Sequence, residues 1–322
     1  MGNDTDRHAN LDPGMLGFYK KLTEATPPGS ESWPLDQQRA AWNALCKSFQ
    51  APHPPGLSVS DIICNGVPCR FFRPTGDAVV PAVIYGHGGG WVLGGPDTHD
   101  DVCAELAAGA GVGVLLMDYR LAPENPFPAQ LEDSLKVWRW VAQQGAAHGL
   151  DATKVVAAGD SAGGQMSVAL AMALHELGLP PLTGLVLIYP VLGADMNTPS
   201  YLRNAQAPCL TKDEMGFYLR SFLGDEESGN WHEPKAAPNL AADVSYLPPT
   251  YITVAAHDPL RDDGVIFSEK LKAAGVPVAL REEPFLAHSY MRARHHSAPA
   301  KEGFDAIVKA LSTLAGEGAL PV

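Results

Sequence analysis

In "KVVAAGDSAGGQMSV", residues 154–168, three glycines and Ser161 crowd into six positions between two apolar runs. A strand that turns at once into a helix holds its bend residue in a strained conformation and needs small neighbours. A serine at such a bend projects its hydroxyl into a cleft, where it can attack a carbonyl. The bland alternative is a tight turn with a capping serine. A hydroxyl is a weak nucleophile until a base takes its proton, and that base must be oriented by a third group. Downstream, Asp258 directly follows the apolar run "PTYITVAAH", and His288 follows "PVALREEPFLA". Both belong on loops at strand ends. The competitors fit less well. Asp262 and Asp263 fall in the next helix, where they would serve its first turn. His257 should point away from its neighbour Asp258, and His295 and His296 sit in the basic, solvent-facing "RARHH".

Acyl transfer also needs donors for the oxyanion that forms when the serine attacks. "YGHGGGWVLGG", after the strand ending at Tyr85, supplies glycines whose N–H groups converge without Cβ obstruction. Gly88, Gly89 and Gly90 are the candidates there, joined by the N–H of Ala162 after the nucleophile. The rival reading is a phosphate cradle. This loop does not fit G-x-G-x-x-G, and Asp118, which ends the following strand, leads into "YRLAPENPFPA" instead of a dinucleotide-binding context.

The elements that position these residues read as strands and helices in alternation. Asn65-Gly66 between "LSVSDIIC" and "VPCRFF" marks a hairpin, because both turn positions accept positive φ. Then come the strand before the glycine loop, a helix near 98–110, the strand "VGVLLMDY" and a helix near 130–147. "KVVAAG", "LTGLVLIYP", "PTYITVAA" and "PVALREEP" supply further strands. Helices follow the serine and close the chain over "AKEGFDAIVKALSTLAG". Continuous apolar strands of this kind suit a mostly parallel sheet covered on both faces. Residues 1–55 read as two helices with too little apolar surface to fold alone, leaving 56–322 as the main domain. Residues 193–230, with helical "TKDEMGFYLRSFLGD", break the rhythm as an insertion over the C-terminal edge of the sheet, where open α/β sheets bind ligands.

"HGGGW", "YRLAPENPFPA", "GDSAGG", "DPLRDDG" and "AHSY" occur in that order. Together they resemble the bacterial hormone-sensitive-lipase-like carboxylesterases, an α/β-hydrolase family, from residue 57 to the C-terminus. The resemblance implies Ser161 as nucleophile, Asp258 as acid and His288 as base, with the glycine loop and Ala162 as the oxyanion hole. It makes His87 a structural support of that loop and Asp160 part of a Gly-Asp-Ser elbow. It further implies a helical cap built from the N-terminal helices and the insertion, short-to-medium acyl esters as substrates, and a homodimer. Trp91, Tyr119 and the segment from Leu192 to Phe222 are expected pocket walls. Two departures stand out: Asp263 where the family often has Glu, and Ser289-Tyr290 where it often has Gly-Phe. A receptor-like binding protein of the same fold would lack the histidine base, which is present here. Amides, thioesters and lactones remain open as alternative acyl substrates.

The remaining properties narrow the class. The 322 residues are 46% hydrophobic and 18% charged, enough for a substantial core. A net charge of −13 opposes binding to nucleic acid or anionic membrane. Five cysteines without CxxC spacing read as free thiols of a reducing compartment, although Cys64 and Cys69 flank the hairpin turn. The polar start lacks the apolar core of a signal peptide, and Asp6 stands where a myristoylation signal needs Ser or Thr. A cytoplasmic enzyme without metal or organic cofactor is expected.

Overall fold

The computed structural model describes residues 10–321 apart from positions 28 and 226, so the polar start at 1–9 lies outside the described residues. Two helices come first, α1 (Pro13–Ala25) and α2 (Leu35–Lys47). The hairpin β1 (Leu57–Cys64) and β2 (Val67–Pro74) turns at Asn65 and Gly66, both at positive φ as the dipeptide requires. There follow β3 (Val80–Gly86), α3 (Pro96–Ala110), β4 (Gly113–Met117), α4 (Ala129–Gln144), β5 (Leu150–Asp160) and α5 (Ala162–Glu176). The chain continues through β6 (Gly184–Ile188), α6 (Pro199–Arg203), α7 (Lys212–Leu223) and β7 (Thr250–His257). It ends with α8 (Arg261–Ala273), β8 (Val278–Ala287) and α9 (Ala298–Glu317).

All eight strands form one sheet in the order β1-β2-β4-β3-β5-β6-β7-β8. The β1–β2 and β2–β4 pairs are antiparallel, and every later pair is parallel. Alternation along the strands splits the core in two. Ala82, Ile84, Ala157, Leu185 and Ile252 pack with α4, α5 and α8 on one face. Val83, Tyr85, Val156, Val186 and Tyr251 pack with α3 and α9 on the other. Parallel order brings the C-terminal ends of β3, β5, β7 and β8 to one edge, so the four loops of chemical interest meet there.

The chain between β6 and β7 runs from Tyr189 to Pro249, longer than the insertion expected at 193–230, and is irregular outside α6, α7 and two 3₁₀ turns. β8 continues past "PVALREEP" to Ala287, which places His288 on the first residue after the strand. All five thiols are free. Register explains why Cys64 and Cys69 do not bridge: Cys64 faces Val67 and Cys69 faces Ile62. Among the described residues, no helix is long and apolar enough to cross a membrane.

Candidate active site

Ser161 caps α5 at φ 55° and ψ −117°, the strained bend expected of a strand-to-helix turn. The turn is tight because β5 and α5 lie against the end of β3. A Cβ on Gly163 would stand 1.8 Å from the carbonyl oxygen of Gly86, so only glycine fits. His288 brings Nε2 to 3.1 Å from Ser161 Oγ, and its Nδ1 lies 2.7 Å from Asp258 Oδ2. A carboxylate beside Nδ1 fixes the tautomer with the proton there and leaves Nε2 free to accept from the serine. The other oxygen of Asp258 accepts the N–H of Leu260 at 2.9 Å. All three side chains are buried. Structure therefore brings together the three residues that the sequence nominated in sequence order, across separations of 127 and 30 positions.

The glycine loop lies beside them. His87 is buried and donates Nδ1–H to the carbonyl oxygen of Gly88 at 2.9 Å. Burial, and then the neighbouring His99, drive its pKa down to about 3, so it stays neutral and does not change its protonation state near neutrality. Gly88 departs from its expected part: its N–H is spent on Asp160 Oδ1 at 3.0 Å. That leaves Gly89, Gly90 and Ala162 with N–H groups that bond no other described residue. Asp160 also accepts the Tyr85 hydroxyl at 2.9 Å, so the carboxylate ties the loop to the elbow.

A cavity of about 50 Å³ is lined by Ser161, His288 and Gly88–Gly90 together with Trp42 of α2, Leu210, and Met215 and Tyr218 of α7. Tyr218 lies so close to Gly90 (φ 60°) that a Cβ there would meet its ring at 2.3 Å. The helix α2 is fixed over the loop by Arg39, whose Nε donates to the Val92 carbonyl at 2.9 Å and whose Nη2 donates to the Ala122 carbonyl at 3.1 Å.

Of the expected pocket walls, Leu210, Met215 and Tyr218 of the segment from Leu192 to Phe222 line this cavity, whereas Trp91, Tyr119, Leu192 and Phe222 do not. Trp91, at φ 60°, turns its ring away to stack on Phe222 at 3.9 Å, and its Nε1 donates to Gln165 Oε1. Tyr119 stacks on His87 at 4.2 Å and donates to the His87 carbonyl, bracing the loop from behind. Leu192 is buried and held through its N–H by Asp263. Nor do Asp262 and Asp263 serve the first turn of α8. Asp262 accepts the N–H of Ser200, and Asp263 Oδ2 accepts those of Leu192 and Gly193, each at 2.8 Å, pinning the insertion to the sheet edge. At the other departure, Tyr290 points into the core and bonds Thr253 Oγ1 at 2.9 Å, leaving only Ser289 at the cavity. Trp42 was missed as a lining residue, because helical spacing marks an apolar face without saying what covers it.

A family model for the α/β-hydrolase fold matches residues 83–292, which span the elbow, the glycine loop, Asp258 and His288. The chain belongs to the α/β-hydrolase family. The chain is 44% identical over 227 residues to carboxylesterase NlhH of Mycobacterium tuberculosis, covering 70% of this chain and 71% of that one. Esterase LipI of the same organism is 40% identical over 298 residues, 90% and 91% of the two chains. A solved esterase of the bacterial hormone-sensitive lipase family superposes with a TM-score of 0.84 at 29% identity, over 94% of this chain and 99% of that one. These likenesses make the protein a hormone-sensitive-lipase-like carboxylesterase.

Proposed function

We propose that the esterase works through an acyl-enzyme on Ser161, with His288 as general base and acid, Asp258 as its orienting carboxylate, and short acyl groups preferred. The observation that carries the reading is the continuous chain from Asp258 Oδ2 through the His288 ring to Ser161 Oγ, at 2.7 and 3.1 Å. His288 Nε2 takes the hydroxyl proton as Oγ attacks the ester carbonyl. The Asp258 carboxylate holds the imidazolium that forms without itself taking the proton. Charge collecting on the carbonyl oxygen is met by the N–H groups of Gly89, Gly90 and Ala162, assisted by the positive end of α5. His288 then hands its proton to the departing alcohol. Water, activated by the same nitrogen, releases the acid.

Acyl length follows from the cavity and its cover. Trp42, Met215 and Tyr218 stand over the Ser161 cavity and limit how far an acyl chain can extend there. The side chains of α2 and α7 over it act as the cap, which closes the site and sets that limit. Among the relatives, one from Pseudomonas putida, 36% identical over 261 residues, is an ethyl acetate hydrolase, in keeping with a small acyl group. The test is hydrolysis of p-nitrophenyl acetate, butyrate, octanoate and palmitate by wild type and Ser161→Ala. Acetate or butyrate should be preferred, and Ser161→Ala should lose about 10⁴-fold or more in kcat. Equal rates in the two proteins would remove Ser161 from the mechanism.

A further inference from the structure

Asp160 is a carboxylate in an unfavourable place. It directly precedes Ser161, is 5% exposed, and lines the same cavity as Ser161 and the glycine loop. Its hydrogen bonds explain its presence. Oδ1 accepts Gly88 N–H at 3.0 Å and the Tyr85 hydroxyl at 2.9 Å, fixing the residue that precedes Gly89 and Gly90. An unopposed anion there would repel the oxyanion that the loop exists to stabilise, because a site shielded from water screens charges poorly. A balancing cation stands one ring away. His99 Nε2 lies 3.3 Å from Asp160 Oδ2, and Arg292 Nη2 lies 3.1 Å from Nδ1 of that ring while Nη1 bonds the carbonyl of Thr98. The nearby Asp101 is already ion-paired with Arg294, which leaves Asp160 as the charge that Arg292 opposes.

We propose that Arg292 is a positioning residue for ester hydrolysis: acting through His99, its guanidinium cancels the charge of Asp160, so that this carboxylate can hold the oxyanion loop without opposing the oxyanion. Protonation behaviour agrees. Burial works against ionisation of Asp160, yet His99 and Arg292 hold its carboxyl well below the usual range, while burial and then Arg292 keep His99 neutral. A neutral His99 that donates Nε2–H to Asp160 accepts from Arg292 through Nδ1, so the cation of the group is the arginine.

The proposal rests on Ser161 as nucleophile and on the loop as oxyanion hole. The test is kcat and KM for p-nitrophenyl butyrate in Arg292→Met, Asp160→Asn, the double variant and Arg292→Lys, with Ser161→Ala alongside. Arg292→Met should lose about 10²-fold in kcat, the scale of a lost oxyanion donor, with KM within about threefold. Asn at 160 can still accept from Gly88 and Tyr85 but brings no charge. The double variant should therefore regain about tenfold over Arg292→Met, a reversal that loss of packing alone would not give. The role of Arg292 is overturned if Arg292→Met keeps kcat within threefold of wild type, or if the two single losses multiply in the double variant. Should Arg292→Met not fold, Arg292→Lys decides. It keeps the charge and should stay within about tenfold of wild type, whereas a 10²-fold loss would mean that guanidinium packing matters and charge does not. Full activity in Ser161→Ala would sink the underlying reading instead, whatever the Arg292 variants do.

Discussion

Asp263 gives the site a pH-dependent stability that a single substitution can remove. The carboxyl is buried, and its Oδ2 accepts the backbone N–H groups of Leu192 and Gly193. Burial lifts its pKa from an ordinary 3.8 to about 7, with Asp258 and Asp262 adding to the rise and the two backbone donors opposing it. A folded-state pKa above the unfolded one means that the native state binds the extra proton between pH 4 and 7. Stability from this group is therefore complete below about pH 4 and is lost as pH rises through about 7. At 1.36 kcal/mol per tenfold change in proton affinity, the loss totals about 4 kcal/mol, of which about 3 kcal/mol falls between pH 5 and pH 8. Asp263→Asn keeps an oxygen for the two N–H groups and has no proton to lose. Urea unfolding of both proteins from pH 5 to pH 8 isolates the effect, since every other titrating group is common to them. The difference in unfolding free energy should move by about 3 kcal/mol in favour of the variant as pH rises. A difference that stays flat across that range would refute the reasoning.

Three further outcomes follow from the same geometry. Asp258→Asn should lower kcat by about 10⁴-fold, because the amide can stabilise the wrong tautomer of His288 and cannot stabilise its imidazolium; steady-state kinetics on p-nitrophenyl acetate measures this. Gly163→Ala should yield little folded protein, or protein at least about 4 kcal/mol less stable by urea melts, since its Cβ would lie 1.8 Å from a backbone oxygen that has no side chain to move aside. Tyr218→Ala should raise the octanoate-to-acetate ratio of kcat/KM by about tenfold, as the ring over Gly90 gives way to space for a longer acyl chain.

The chain order of Ser161, Asp258 and His288 was legible because each stands at a strand end, and apolar runs reveal strand ends. The glycine loop was legible for the same reason. What failed was direction. Trp91 directly follows the loop and Tyr119 stands just past the end of β4, yet a positive φ turns the first away and stacking on His87 draws the second behind the loop. Asp262 and Asp263 looked like first-turn carboxylates because local spacing cannot show partners 62 and 70 or more positions distant. Gly88 looked like an oxyanion donor until its N–H was found on Asp160. Contacts across the sheet edge, such as that of Tyr218 with Gly90, leave no periodic trace in either segment.

In this mechanism the acyl group passes through Ser161. The most direct measurement is mass spectrometry after treatment with a p-nitrophenyl phosphonate ester, which traps an activated serine as a stable adduct. One adduct per chain, on the peptide containing Ser161 and absent from Ser161→Ala, is the expected result. An adduct on another residue, or an active enzyme that takes up no phosphonate, would contradict it.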